Sequence, residues 1–362
     1  MKLTSQTQLL PDRDHDARLR ATVERFNEAA NYVAGVAFGL KTANKIDLQK
    51  VVYRDVRGRF GLSSQMTVRC IAQVCEAYKR DKTIRPVFRP HAAVPYDQRL
   101  MSFKGVDRVS LLTLNGRVLV AFVMGKYQAE TFTRAKGQSD LVLRKDGKWF
   151  LLVTVDVPIS APTPVTDFLG IDLGIANIAT DSDGTAYSGK PVEAVRRKHN
   201  LQRKRLGKRN TKGAEKKLKR IAGKEARFRR HENHCVSKAI VKTAKDTGRG
   251  IAVEDLGGIR DRLPVWGRDA RNKLSGWSFL QLVSFLSYKA TLAGVPVVKV
   301  GPRNTSRTCA ECGCCEKANR TSQAKFLCVS CGHSANADQN AARNIRALGT
   351  SKMPTELVGP RA

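Results

Sequence analysis

The chain has 362 residues and carries 65 Lys+Arg against 32 Asp+Glu, a net charge of +33. That excess is far more than solubility needs, and it predicts a large anionic partner, most simply nucleic acid. No apolar run is long enough to span a bilayer, the N-terminus lacks the apolar core of a signal peptide, and nine cysteines, an odd number, speak for a reducing cytoplasm and against a disulfide framework.

Residues 2–10 alternate weakly and predict a first strand. A helix is expected from Asp12–Asp14, with Leu19, Val23, Phe26, Ala30, Val33, Ala37 and Leu40 on one face. A second starts near Ser63–Ser64 and carries Met66, Ile71, Val74, Cys75 and Tyr78. Cys70 and Cys75 read as ordinary buried thiols. Residues 12–85 therefore make a helical unit. Short strands follow at 100–103, 109–114, 118–124, 141–143 and 149–157, with Asn115-Gly116 and Asp146-Gly147 as hairpin turns. Together, 1–11 and 86–160 predict a small β-barrel or sandwich with the helical unit inserted.

Pro158, Pro162 and Pro164 mark a linker. A buried strand is expected at 168–173, continued antiparallel at 177–180 and 185–187. A long basic helical stretch (193–247), a strand (251–256), a helix (278–292), a strand (295–300) and a last helix (337–347) complete the pattern. Three antiparallel strands followed by alternating helix and strand is the order of a ribonuclease-H-like α/β core. It would occupy 166–303 and 334–348, with a cysteine module at 304–333 inserted before the last helix and a flexible tail at 349–362. The fold class is multidomain α+β.

Three acidic segments stand out: GIDLGIANIATDSDG at 170–184, IAVEDLGG at 251–258 and NADQNAARNI at 336–345. Each sets one carboxylate in or beside an apolar run: Asp172, Glu254 and Asp338. Asp172 lies between Ile171 and Leu173, near the middle of its strand, so alternation turns it to the face opposite its neighbours. A charge there calls for a counter-charge or a metal. Glu254 has the same context, while Asp255 faces the other way. Asp338 stands near a helix start, where the helix dipole alone would favour an acid. Asp181 and Asp183 read as turn residues. Two-metal phosphodiester hydrolysis needs hard oxygen ligands holding two Mg²⁺ ions about 4 Å apart, and an ordered set of three acids suits it.

Cys309-x2-Cys312-x15-Cys328-x2-Cys331 can close one tetrahedral Zn²⁺ site of zinc-ribbon type. Gly313 and Gly332 follow the second cysteine of each pair and permit the tight turn such a site needs. Cys314 or Cys315 could replace Cys312, though the x2 spacing favours Cys312. Four thiolates leave no open position, so the zinc is structural and His333 is surplus. Residues 196–230 hold seventeen Lys/Arg against Glu215 and Glu225, a net +15. Phosphate contacts are expected from Arg196, Arg197, Lys198, Arg203, Lys204, Arg205, Lys208, Arg209, Lys216, Lys217, Arg220 and Arg227. Aromatics are sparse at 6%, which favours a duplex backbone in a charged channel over base stacking.

With these motifs the chain resembles the TnpB family, RNA-guided nucleases of bacterial insertion sequences. The residues that carry the resemblance are GIDLGIANIATDSDG, IAVEDLGG, TSRTCAECG, NRTSQAKFLCVSCGHSANADQNAARNI and the basic run between the first two. The match covers about 166–347, with 305–345 its most specific block. The N-terminal half agrees in layout, and SSQMTVRCIAQVCEAYKR is similar to a helix of the family. The resemblance implies a wedge β-barrel (1–11 and 86–160), a helical recognition domain (12–85) and a RuvC-like nuclease domain with Asp172, Glu254 and Asp338 as Mg²⁺ ligands. It also implies a guide RNA transcribed from the end of the same element, a short motif read beside the target, and one site that cuts both strands of double-stranded DNA. The expected working form is a monomer with its RNA in the bacterial cytoplasm, at the nucleoid when bound to target. A miniature type V CRISPR effector shares the nuclease and zinc modules and differs in its neighbouring DNA. A nuclease-dead, RNA-guided DNA-binding repressor would lack one of the acids, and all three are present. A DNA-joining transposase would purify without RNA.

Overall fold

The computed structural model describes residues 1–132, 135–257 and 278–352, and the chain divides into two compact units, Met1–Pro158 and Ile159–Ala362. No helix among the described residues is long and apolar enough to cross a membrane.

In the first unit, β1 (Lys2–Leu10) is followed by α1 (Arg13–Gly39), α2 (Lys45–Phe60) and α3 (Ser64–Arg80). Asp12, Asn44 and Ser63 cap these helices by accepting from the backbone N–H groups of His15, Ile46 and Met66. Then come β2 (Val94–Tyr96), β3 (Met101–Lys104), β4 (Arg108–Thr113), β5 (Gly116–Phe122), α4 (Lys126–Phe132), β6 (Ala135–Leu143) and β7 (Trp149–Asp156). The seven strands form one antiparallel sheet in the order β2-β6-β7-β1-β5-β4-β3. The chain-start strand therefore lies at the sheet centre, paired to β7 on one side and β5 on the other. The sheet is nearly barrel-shaped: the Tyr96 hydroxyl on edge strand β2 donates to the Leu112 carbonyl of β4 at 2.8 Å. Helices and sheet share one core that includes Phe26, Leu48, Ile71, Tyr96, Leu111 and Trp149. The sequence patterns did not predict α2, β2 or α4.

In the second unit, β8 (Phe168–Asp172), β9 (Asn177–Asp181) and β10 (Ala186–Ser188) are antiparallel neighbours. The strands β11 (Gly250–Glu254) and β12 (Val297–Val300) extend the sheet in parallel, giving the order β10-β9-β8-β11-β12. The basic helical stretch is two helices, α5 (Lys190–Gly207) and α6 (Lys212–Asp246). It breaks at 208–211, where Asn210 adopts a φ of 40°. The remaining helices are α7 (Phe279–Ala293) and α8 (Ala337–Ser351). The tail expected from 349 thus begins inside α8; residues 353–362 lie outside the described residues.

Alternation assigns the faces of this sheet. Leu169 and Ile171 of β8, with Ile251 and Val253 of β11, pack on Ile240 of α6 and Leu282 and Leu286 of α7. Phe168 and Ala252 point the other way, onto Ile345 of α8. Here α8 lies very close to the sheet: a Cβ on Gly170 would stand 2.0 Å from the Ala342 carbonyl oxygen and 2.5 Å from the Arg346 nitrogen. Only glycine allows that approach. Continued by two residues, this same face carries Asp172 and Glu254. Asp172 is the last residue of its strand, not a middle one.

Candidate active site and cysteine cluster

Strand register brings the first two acids together. The strands β8 and β11 run parallel, with Val253 opposite Ile171. One residue further, Glu254 and Asp172 stand side by side at the C-terminal strand ends, on the α8 face. The third acid arrives with α8. The Asn336 side chain caps this helix, accepting from the N–H of Asp338 at 2.9 Å and of Gln339 at 3.3 Å.

Two of the acids act on the third. Burial, then the charges of Glu254 and Asp338, push Asp172 up from 3.8 to about 7. Burial also raises Glu254, against a hydrogen bond donated to Oε1 by the Thr305 hydroxyl at 2.5 Å. Asn177 Nδ2 donates to Asp338 Oδ2 at 3.0 Å, and Arg320 Nη2 lies 3.8 Å from Asp338 Oδ1. The Arg320 charge opposes the rise at Asp172. The carboxylates do not make a closed shell as they stand; among the described residues, the group whose ligand atoms all lie within 4.8 Å is the four thiols.

Sequence reasoning singled out neither Thr305 nor Arg320. Their only signal was position, Thr305 opening TSRTCAECG and Arg320 lying between the cysteine pairs. Asp255 is exposed and weakly paired with Lys299 at 3.9 Å, away from the cluster. Asp181 closes a turn by accepting from the N–H groups of Asp183 and Thr185, while Asp183 pairs with Arg249.

The thiols are Cys309, Cys312, Cys328 and Cys331. Cys309 and Cys331 sulfurs lie 3.7 Å apart, and those of Cys312 and Cys328 3.5 Å apart. A tetrahedral shell with Zn–S near 2.3 Å puts its sulfurs about 3.8 Å apart, so the spacing suits zinc. The two turns repeat each other. Gly313 (φ 75°) donates to the Cys309 carbonyl at 3.0 Å, and Gly332 (φ 72°) to the Cys328 carbonyl at 3.0 Å. Hydrogen bonds from the backbone N–H groups of Cys331 and Ser330 draw the Cys328 thiol down to about 6. Buried Asn319 ties the loops together through the Arg307 carbonyl, the Cys314 carbonyl and the Val329 N–H.

This module is bolted to α8. Asn340 accepts from the Ala310 N–H and donates to the Thr308 carbonyl, while Asn344 donates to the Thr305 and Thr308 carbonyls. Its short hairpin, β13 (Lys325–Leu327) and β14 (Ser334–Asn336), runs directly into the helix. Thr305, which touches Glu254, and Arg320, beside Asp338, thus belong to the cysteine module, while Asn177, which also holds Asp338, belongs to β9.

The basic residues divide in two. Arg196 and Arg197 pair with Glu193, and Arg203 with buried Glu225. Lys198, Lys204, Arg205, Lys208, Arg209, Lys216, Lys217, Arg220 and Arg227 are exposed, and among the described residues none of these nine forms an ion pair. Most of the nine cluster around the turn between α5 and α6.

Residues 150–257 match a family model described as "Probable transposase", and 279–345 match one described as "Cas12f1-like, TNB domain". Asp172 and Glu254 fall in the first and Asp338 in the second. The CRISPR-associated endodeoxyribonuclease Cas12f1 of Sulfoacidibacillus thermotolerans is 34% identical over 232 residues, 59% of this chain and 53% of that protein. InsQ of Escherichia coli K12 is 34% identical over 226 residues, 56% of this chain and 54% of that protein. The chain thus spans about half the length of these curated relatives. Across 99% of this chain and 94% of its own, the mini-RNA-guided endonuclease CRISPR-Cas_phi3 shares the fold, with a TM-score of 0.59 at 11% identity. The motifs, both family models and these relatives agree: over about 150–345 the chain is similar to proteins of the TnpB and Cas12f type.

Proposed function

We propose that this protein is an RNA-guided DNA endonuclease that cuts both strands of a target with one RuvC-like site. The observation that supports this most is the meeting of three acids from distant segments at one end of a ribonuclease-H-like sheet. In this reading 1–11 and 86–160 form the wedge, 12–85 the recognition domain, and 304–333 a zinc ribbon inserted in the nuclease domain. One chain works with one guide, in the cytoplasm and at the nucleoid.

The donor set fits divalent metal. Three carboxylates offer hard oxygens, and Asp172 is raised first by burial and then by the charges of Glu254 and Asp338, all of which a bound cation would relieve. Two Mg²⁺ ions held by Asp172, Glu254 and Asp338 would supply an activated water and charge against the leaving oxygen. The chain's own groups fix those ligands. Thr305 holds one oxygen of Glu254, Asn177 holds one oxygen of Asp338, and Arg320 places cationic donors beside them. Four thiolates at Cys309, Cys312, Cys328 and Cys331 would hold one structural zinc.

Acidity gives a direct check on the cluster. An acid raised from 3.8 to about 7 keeps a proton in the fold that the unfolded chain has already lost. The metal-free protein therefore loses stability as pH rises from about 4 to about 7, by at most about 4 kcal/mol, and stays flat above. Asp172→Asn should remove that slope and melt higher than wild type at pH 8 without metal. Mn²⁺ affinity should rise up to tenfold per pH unit below about 7 and then level off. Equal melting profiles for the two proteins would contradict a like-charged cluster.

The nine unpaired cations are the proposed grip on nucleic acid. With about eight phosphates neutralised on duplex, log K falls with log salt at a slope near −7. Replacing Lys208, Arg209, Lys216 and Lys217 by glutamine should flatten it to about −3. A slope near −1 in the wild type would remove the hairpin from the interface.

The test of the whole reading is to purify the protein from its own locus and sequence the RNA that copurifies. Programming that RNA against a chosen target should redirect cleavage; purification without RNA would favour a DNA-joining enzyme. The adjoining DNA assigns the guide's source, an insertion-sequence end for a TnpB protein or a CRISPR array for a type V effector.

A further inference from the structure

A fifth thiol packs against the core of the four-cysteine module. This fifth thiol is Cys314. It packs half-buried against the small core of Cys309, Phe326, Cys328 and Ala337. Its place is fixed by the backbone, since the Cys314 carbonyl accepts from the Cys309 N–H at 2.9 Å and from Asn319 Nδ2 at 3.0 Å. Neighbouring Cys315 is exposed and bridges to Thr308 instead. A closed four-thiolate shell has no use for a fifth sulfur pressed against it. A thiol held beside a zinc-bound thiolate is, however, the arrangement that turns oxidation of that thiolate into a disulfide.

We propose that Cys314 is a resolving thiol that makes the zinc site peroxide-labile, forming a disulfide with Cys328 and releasing the metal. The step balances with hydrogen peroxide as the oxidant. The Cys328 thiolate attacks one peroxide oxygen, the O–O bond breaks, and the far oxygen leaves as hydroxide while sulfur keeps the attacked oxygen as S–OH. The Cys314 thiol then attacks that sulfur. The S–S bond forms, the S–O bond breaks, and the hydroxyl departs with the thiol proton as water. Sulfur loses two electrons in all and peroxide gains two. With Cys328 withdrawn, the shell is left with three ligands.

The consequence reaches the carboxylates, because Thr305, Arg320 and the β14–α8 junction all belong to the module or adjoin it. Peroxide would thus loosen the proposed active site through its support rather than by touching it. This rests on the zinc reading above, which is checked first by metal content.

The experiment uses the full-length zinc-loaded protein and hydrogen peroxide at a few molar equivalents. A chromophoric chelator reads zinc release, and non-reducing peptide mass analysis reads the disulfide. The expected result is one zinc released per chain with a Cys314–Cys328 linkage, reversed by a thiol reductant and added zinc. Cys314→Ser should still hold one zinc and release it several-fold more slowly, while Cys315→Ser keeps the wild-type rate. Release from Cys314→Ser at the wild-type rate would overturn the proposal. So would disulfides confined to the four ligands, slowing by Cys315→Ser instead, or a Cys314→Ser protein that binds no zinc, which would make Cys314 a ligand. A wild-type protein purified under reducing conditions without zinc would instead overturn the zinc reading beneath it.

Discussion

Asp172→Ala and Glu254→Ala are each expected to abolish cleavage while guided binding to target DNA stays close to wild type. The two acids sit at the ends of adjacent parallel strands, where each would hold catalytic metal. Losing one ligand forfeits several kcal/mol of transition-state stabilisation; at about 5 kcal/mol the rate falls nearly 10⁴-fold. Unfolding is not a competing explanation. Asp172 is raised by burial and by two neighbouring acids, so its ionised form costs the fold rather than supporting it. Asp172→Ala should therefore melt at or above the wild-type temperature in metal-free buffer while showing no activity. Binding should survive because the nine unpaired cations lie on α5, the turn after it and α6. Binding and cleavage are measured on the same guided complex with a labelled target. Full cutting by either variant would remove these acids from the site.

Two of the acids were legible in the sequence because a strand pattern singled them out. Period-two alternation put Asp172 and Glu254 opposite their apolar neighbours, and β8 and β11 pack their apolar residues on one face as that pattern requires. The array of cysteine pairs was legible for a similar reason: the x2 spacing and the following glycine are local geometry, and both turns adopt it. What escaped was set by long-range contact. Thr305 reaches Glu254 across 51 positions in the chain, and nothing around a threonine announces such a partner. Arg320 is one arginine among many in a chain this basic. Elements were missed where the signal was short or thin. The strand β2 has three residues, and α2 buries only Leu48, Val52 and Val56. The division of α5 from α6, by contrast, follows Gly207, one of two glycines that interrupt the helical pattern of the basic run; the other, Gly213, lies inside α6.

Losing the proposed zinc site should cost the proposed cleavage as much as losing one of the three acids, by a different route. The module has almost no core of its own: Cys309, Phe326, Cys328 and Ala337, with Cys314 against them. So small an apolar cluster offsets little of the entropy of ordering some thirty residues, and the proposed zinc would supply the difference. Structural zinc contributes about 10–16 kcal/mol of apparent binding energy in comparable small modules. Cys309→Ser or Cys328→Ser should therefore release zinc and open 304–336 to proteolysis. The first unit, with its separate core around Phe26 and Trp149, should stay protease-resistant. Cleavage should fall to background in both variants, because Thr305 then no longer orients Glu254, and the α8 N-terminus that carries Asp338 loses β14 and the Asn340 and Asn344 anchors. Chelation of the wild-type protein should reproduce the effect, and added zinc should reverse it. The two routes separate on one measurement: a catalytic-acid variant keeps one zinc per chain and a protected module, whereas a cysteine variant keeps its acids and loses both. An intact zinc content with unchanged proteolysis in Cys309→Ser would show that the module stands without metal. The cysteines would then have no part in building the site.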